Sequence, residues 1–169
     1  LSAFRRYNIT TFCSPPTALH LLLKEDLQKY EFPRLRHCVS AGEVLNQKVA
    51  ESWKLGTGVD IYEGYGQTET VIQIANVRSR DYPLKPGSIG KALPGYDIHV
   101  IDERFNIVPA GVEGEIAIRV VPERPVGLFT EYWGDPVQTE RAIQNGWYLT
   151  GDRASRDEEG YFWFAGRSD

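Results

Sequence analysis

Tyr62-Glu63-Gly64-Tyr65-Gly66-Gln67-Thr68-Glu69 follows the strand-like Val59-Asp60-Ile61 and packs two glycines, an aromatic platform, a hydroxyl and a carboxylate into one short stretch. Glycine lets main-chain amides approach a ligand closely. A strand running into a turn opens a crevice at the carboxyl edge of a sheet, and a hydroxyl beside an acid suits a phosphate with its divalent cation. The same composition also suits an ordinary strand-to-helix loop, so these residues alone leave both readings open.

The flanking sequence decides the fold class. Upstream, Ile9 to Ser14 reads as a strand, and Ser14-Pro15-Pro16-Thr17 reads as a helix start with Ser14 as cap and proline at the first helical position. Leu19, Leu22 and Leu23 then fall at helical spacing, and Pro33 closes the unit. Leu35 to Ser40 is a second strand, Asn46 to Leu55 a second helix with Val49, Ala50 and Trp53 on one face, and Val59 to Tyr62 a third strand. This β-α-β-α-β alternation predicts an α/β fold with a parallel sheet and crossover helices. The turns at Ser14, Gly42 and Gly64 should then share the ligand-binding edge.

Downstream, the pattern changes near Asp81. Proline and glycine become frequent, and Tyr96 to Ile101 and Gly114 to Val120 alternate as antiparallel strands do, with Asp102 to Asn106 as a hairpin tip. A short helix, Val137 to Gln144, ends at Asn145-Gly146, and two aromatic-rich strands follow, Trp147 to Thr150 and Tyr161 to Phe164. The expected organisation is an α/β nucleotide-binding part over residues 1–80 and a smaller antiparallel, β-barrel-like subdomain over 81–166. Residues 167–169 would begin a hinge.

Composition narrows the function classes. The 169 residues are 41% hydrophobic and 25% charged, which is globular and not disordered. A net charge of -4 with pI near 5.5 gives no electrostatic footprint for nucleic acid. No apolar run approaches the roughly 20 residues of a membrane span. With no Met anywhere and no signal pattern at Leu1-Ser-Ala-Phe, the chain reads as a piece of something longer. Cys13 and Cys38 lack metal or redox spacing and read as small buried residues of a reducing compartment. His20, His37 and His99 do not converge on a zinc pattern.

Two further motifs carry chemistry. Tyr148-Leu-Thr-Gly-Asp152 ends a strand on a carboxylate able to accept from two neighbouring hydroxyls, as a ribose offers, although a turn aspartate looks the same. Gly166-Arg167-Ser168-Asp169 presents a planar guanidinium suited to phosphate or ribose oxygens, or to a surface ion pair.

In their order, Gly42-Glu43, Tyr62 to Glu69, Gly114-Glu115-Ile116, Tyr148 to Asp152 and Gly166-Arg167 resemble the adenylate-forming superfamily of acyl-CoA synthetases, luciferases and peptide-synthetase adenylation domains. The resemblance spans essentially the whole chain. Cys13-Ser-Pro-Pro-Thr-Ala, Leu35-Arg-His-Cys-Val-Ser-Ala-Gly-Glu and Tyr161-Phe-Trp-Phe-Ala-Gly-Arg are most similar to the medium-chain acyl-CoA synthetases.

That resemblance implies an ATP-dependent ligase that converts a medium-chain fatty or aromatic acid to an acyl-adenylate and passes it to coenzyme A, with Mg²⁺ as cofactor. It implies that Gly42, Glu43 and Val44 line the adenine, with Glu63, Gly64, Tyr65, Gly66 and Gln67 completing the pocket and Tyr65 as its stacking face. Thr68 would lie at the α-phosphate, Glu69 on Mg²⁺, Asp152 on the ribose and Arg167 on ribose or phosphate, with Thr68, Glu69 and Arg167 as the catalytic residues. Asp169 would sit at the hinge to a C-terminal domain. Acetate-specific relatives carry tryptophan where this chain has Gly66, so an open acyl tunnel is expected, and Gly66→Trp should shift preference toward short acids.

The phosphate loop and the catalytic lysine of such enzymes would lie outside this chain, so the isolated segment should not turn over. Alternatives are a catalytically silent nucleotide-binding domain, or an adenylation domain that loads a carrier protein. The expected partners are a carboxylic acid, ATP and CoA, with no nucleic acid and no membrane span. The expected location is cytoplasmic, with the mitochondrial matrix as the alternative.

Overall fold

The first half is punctuated by its caps. In the computed structural model, which describes residues 1–79 and 82–168, helix α1 (Ala3–Arg6) precedes strand β1 (Thr11–Cys13), helix α2 (Pro16–Leu22) and strand β2 (His37–Ala41). Helix α3 (Gln47–Thr57) and strand β3 (Ile61–Gln67) follow. Asn46 opens α3 by accepting from the Lys48 N–H at 2.9 Å, and Gly58 closes it in the left-handed region at φ 76°. Helix α2 begins with Pro16 at its first turn as expected, but Ser14 is not its cap. The Glu43 carboxylate accepts from the Thr17 N–H at 3.2 Å and from the Thr17 hydroxyl instead.

The chain divides into two compact units, Leu1–Tyr65 with Asn76–Gly87, and Gly66–Ala75 with the described residues from Ser88 onward. The expected boundary at residues 80/81 falls on Arg80 and Asp81, outside the described residues.

In the first unit β1, β2 and β3 pair in parallel, with Phe12 opposite Cys38 and Cys38 opposite Ile61. The parallel sheet with crossover helices is therefore present. Its core gathers Phe4, Leu19, Leu27, Leu35, Cys38, Trp53 and Ile61. Trp53 is fully buried and stacks on Phe12 with ring centroids 5.5 Å apart. Cys38 is buried as expected, but Cys13 is exposed.

Tyr62 to Gln67 is not a turn but the body of β3, with Gly64 opposite Ala41, and the turn comes at residues 68–70. Ser14 and Gly42 directly follow the carboxyl ends of their strands, whereas Gly64 lies inside its own.

In the second unit strand β4 (Val71–Ala75) pairs antiparallel with β5 (Lys91–Ala92). Strands β6 (Ile98–Ile101) and β7 (Gly114–Arg119) come next, then helix α4 (Pro136–Ala142), and strands β8 (Ile143–Gln144), β9 (Trp147–Arg156) and β10 (Phe162–Arg167). These form an antiparallel sheet in the order β10-β9-β7-β6, with β8 on β9. This is the open, curled half-barrel that the alternating strands predict. Ile116, Ala117, Ile118 and Ala154 are fully buried on it. The described residues include no helix long and apolar enough to cross a membrane.

Candidate nucleotide site

In the first unit, the β2–β3 pairing places the loop after Ala41 beside Glu63 and Gly64. Gly42 turns the chain with φ 92°, and Val44 is exposed. Glu63 is only 8% exposed, and its Oε1 accepts from the Leu45 N–H at 3.0 Å, which fixes the loop. The carboxyls of Glu43 and Glu63 thus both serve the protein: one caps α2, the other anchors the loop.

Burial pushes the Glu63 carboxyl up to about 7, outweighing the Leu45 hydrogen bond that pulls it down. The native chain then holds a proton that the unfolded chain has released between about pH 4.5 and 7. Stability falls as pH rises through that window and levels off above it. Glu63→Gln keeps an acceptor for Leu45 and removes the charge. It is expected to flatten this pH dependence and to raise stability near pH 8 by roughly 2–3 kcal/mol, read as urea midpoints across pH.

In the second unit the organising side chain is Gln67. Its Nε2 donates to Asp152 Oδ2 at 2.8 Å and to the Thr150 carbonyl at 2.7 Å, and its Oε1 accepts from the Tyr148 hydroxyl at 2.9 Å. Asp152 is 5% exposed, and Arg167, its partner in the β9–β10 register, places Nη1 3.6 Å from Oδ1. A carboxylate with an amide donor on one oxygen and a guanidinium paired with the other is fixed in direction. Thr68 is exposed in the turn that follows. Beside it, Glu69 Oε1 accepts from the Tyr132 hydroxyl at 2.8 Å. A cleft of about 590 Å³ is lined by Thr68, Glu69, Glu115, Tyr132, Gly151 and Arg167.

Both phenols stay protonated. Tyr132 is pushed up to about 12, first by burial and then by its hydrogen bond to Glu69 and the nearby charge. Tyr148 is raised further, by burial first and then by the charge of Glu69. Each is therefore a neutral donor at working pH.

The structure thus brings Gln67, Thr68, Glu69, Asp152 and Arg167 together in one unit and Gly42, Glu43, Val44, Glu63 and Gly64 together in the other, with Tyr65 next along β3. Asp169 lies outside the described residues. Sequence reasoning missed Tyr132, which sits in a segment without a motif, and gave no role to Glu115, whose Oε1 accepts from the Gly151 N–H at 2.8 Å. Tyr148 stood in the quoted motif, but nothing local revealed its partner.

Gly66 needs a correction. A Cβ there would lie 1.7 Å from the Val71 carbonyl oxygen and 2.9 Å from Ile72 Cα, so the backbone approach itself demands glycine. Glycine at this position therefore says nothing of acyl-chain length. Gly66→Trp should disrupt the 66–72 turn before it can alter specificity.

No group of three or more His, Cys, Asp or Glu side chains capable of holding a metal occurs among the described residues. One carboxylate at a cleft does suit Mg²⁺ delivered with a nucleotide, because that ion keeps its waters and takes its other ligands from phosphate. Glu69 fits such a cation.

Residues 1–133 match the model of the AMP-binding enzyme family. Over all 169 residues the chain is 49% identical to the rat (Rattus norvegicus) mitochondrial acyl-coenzyme A synthetase ACSM3 and 50% identical to rat ACSM5, covering 29% of each. Among solved structures it is similar to the anthranilate CoA ligase AuaEII in complex with anthranoyl-AMP, at TM-score 0.88 and 35% identity, covering 99% of this chain and 31% of that one. ATP-bound MatB from Rhodopseudomonas palustris matches at TM-score 0.86 and 29% identity, covering 98% of this chain and 32% of that one. The expected cytoplasmic location is corrected by these relatives, since the names of the similar synthetases place them in mitochondria. With its fold, its full-length similarity to these synthetases and a family match over most of its length, the chain belongs to the AMP-binding enzyme family, within the adenylate-forming superfamily and related to medium-chain acyl-CoA synthetases.

Proposed function

We propose that the protein to which this chain belongs is a mitochondrial acyl-CoA synthetase that activates a medium-chain or aromatic carboxylic acid with ATP and transfers the acyl group to coenzyme A. The observation that carries the reading is the Gln67-organised cluster, in which a buried carboxylate is held by an amide and an arginine that both line a cleft. Asp152 accepts from the ribose hydroxyls, and Arg167 donates to ribose or phosphate oxygens. Thr68 donates to the α-phosphate, and Glu69 holds the divalent cation. Gly42, Val44, Gly64, Tyr65 and Gly66 line the adenine, with the Tyr65 ring as the stacking face, while Glu43 and Glu63 hold this segment in place through Thr17 and Leu45. Gln67 acts through Asp152.

Mg²⁺ held by Glu69 would supply the positive charge that offsets the phosphates. In the proposed reaction the acid oxygen bonds to the α-phosphorus as its bond to pyrophosphate breaks. The chain's own contribution is to orient the nucleotide and to place donors where charge develops. Of the rest of the reaction the chain says less, since it spans 29% of the length of the curated relatives it matches. On its own it is a nucleotide-binding segment that does not turn over.

Two assays test the proposal. The full-length protein should catalyse ATP–pyrophosphate exchange that depends on a medium-chain or aromatic acid, and adding coenzyme A should release AMP and acyl-CoA. Exchange without acyl-CoA formation, with transfer to a phosphopantetheinylated carrier protein instead, would assign an adenylation domain. Absence of acid-dependent exchange would leave a silent nucleotide-binding domain.

A further inference from the structure

Glu69 is gripped from a segment 60 and more residues away, at its main chain and at its carboxylate. The Phe129 N–H donates to the Glu69 carbonyl at 2.7 Å, and three residues on the Tyr132 hydroxyl donates to its Oε1 at 2.8 Å. That segment is itself tied down. The Arg124 guanidinium donates to the Phe129 carbonyl and, at 2.9 Å, to the Thr130 carbonyl. The Phe129 ring meets the Tyr132 ring edge-on at 4.7 Å. The Tyr132 N–H donates to Thr139 Oγ1 at 3.0 Å, and the Tyr132 carbonyl accepts from the Asp135 N–H at 3.1 Å. Asp135 in turn caps α4 through the Gln138 N–H at 2.9 Å. Tyr132 is therefore held at its amide, its carbonyl and its ring, with its hydroxyl on Glu69.

We propose that Tyr132 is a positioning residue for the divalent cation that accompanies the nucleotide. By occupying Oε1 of Glu69 it fixes the carboxylate plane and leaves Oε2 as the ligand oxygen. A carboxylate free to rotate would have to be ordered each time the metal–nucleotide complex binds, whereas one already hydrogen-bonded presents its second oxygen at no further entropic cost. A hydroxyl donor does this without neutralising the carboxylate, as a lysine or arginine in the same place would. The neighbouring Tyr148 does not duplicate the role, because its hydroxyl is committed to Gln67.

This inference rests on the assignment of Glu69 to the metal, and the experiment separates the two. In the full-length enzyme, Mn²⁺ serves as the probe. Its binding with ATP is followed by the electron paramagnetic resonance of free Mn²⁺, and ATP binding in the presence of a chelator is followed by calorimetry. Tyr132→Phe removes only the hydroxyl. It is expected to weaken Mn²⁺–ATP binding about tenfold or more while metal-free ATP binding and the melting temperature stay close to wild type. Glu69→Gln is expected to weaken Mn²⁺–ATP binding at least as much. Wild-type Mn²⁺–ATP affinity in Tyr132→Phe beside a loss in Glu69→Gln overturns the role of Tyr132 alone. Equal weakening of both nucleotide forms by Tyr132→Phe overturns it in favour of a plain structural tether. Unchanged affinity in Glu69→Gln overturns the metal assignment and the inference with it.

Discussion

Asp152→Ala in the full-length enzyme is expected to raise the KM for ATP by about 10²–10³-fold while kcat falls only a few-fold. A charged acceptor paired with a hydroxyl contributes about 1.5–3 kcal/mol. Two such bonds to a ribose reach the loss that two to three decades require, at about 1.4 kcal/mol per decade. The ribose is remote from the bond being broken and is held alike in the ground and transition states, so the loss appears mainly in KM. The variant also deprives Gln67 Nε2 of one acceptor and Arg167 of its counter-charge, while Gln67 keeps its bonds to Thr150 and Tyr148. Asp152→Asn, which keeps the shape and loses the charge, should fall between. Initial rates of ATP–pyrophosphate exchange against ATP concentration measure this, and a KM for ATP within threefold of wild type in Asp152→Ala would remove the ribose assignment.

The largest effect on stability should come from Trp53→Ala. The indole has no solvent exposure, lies stacked on Phe12, and has the rings of Phe4 and Phe32 each 6.3 Å away. Truncating so large an aromatic leaves a cavity that the surrounding strands and helices fill only in part. The expected cost is about 3–5 kcal/mol, a large share of the 5–15 kcal/mol typical of a folded domain. Trp53→Phe retains most of the contacts and should cost less than half as much. Urea denaturation of the full-length protein followed by far-ultraviolet circular dichroism reads both, and a loss below about 1 kcal/mol in Trp53→Ala would contradict the central place of this residue in the first core.

The two tyrosines show where local reading ends. The helix starts at Pro16 and Asn46 and the alternation of β6 and β7 are short-range effects written in neighbouring residues. They were legible for that reason. So was the candidate value of Asp152 and Arg167, since each ends a strand-like run with a side chain of distinctive chemistry. The continuation of β3 through Gln67 was not legible: glycines favour a turn in isolation, and sheet pairing, with β2 as far as Gly64, overrides that preference. The steric demand at Gly66 was hidden as well, because it arises from the returning backbone of Val71.

By itself, then, the sequence determined the parallel α/β order and the antiparallel half that follows it, and it named candidate groups for a nucleotide. Only the tertiary structure decided which of those groups are free for a ligand and which are committed to the protein. Glu43 caps a helix, Glu63 anchors a loop, Gln67 holds Asp152, and Tyr132 holds Glu69. The physical reason is range. A cap or an alternating strand is set by interactions over a few residues, whereas a hydrogen bond from Gln67 to Asp152 or from Tyr132 to Glu69 exists only once folding has brought distant segments within 3 Å of each other.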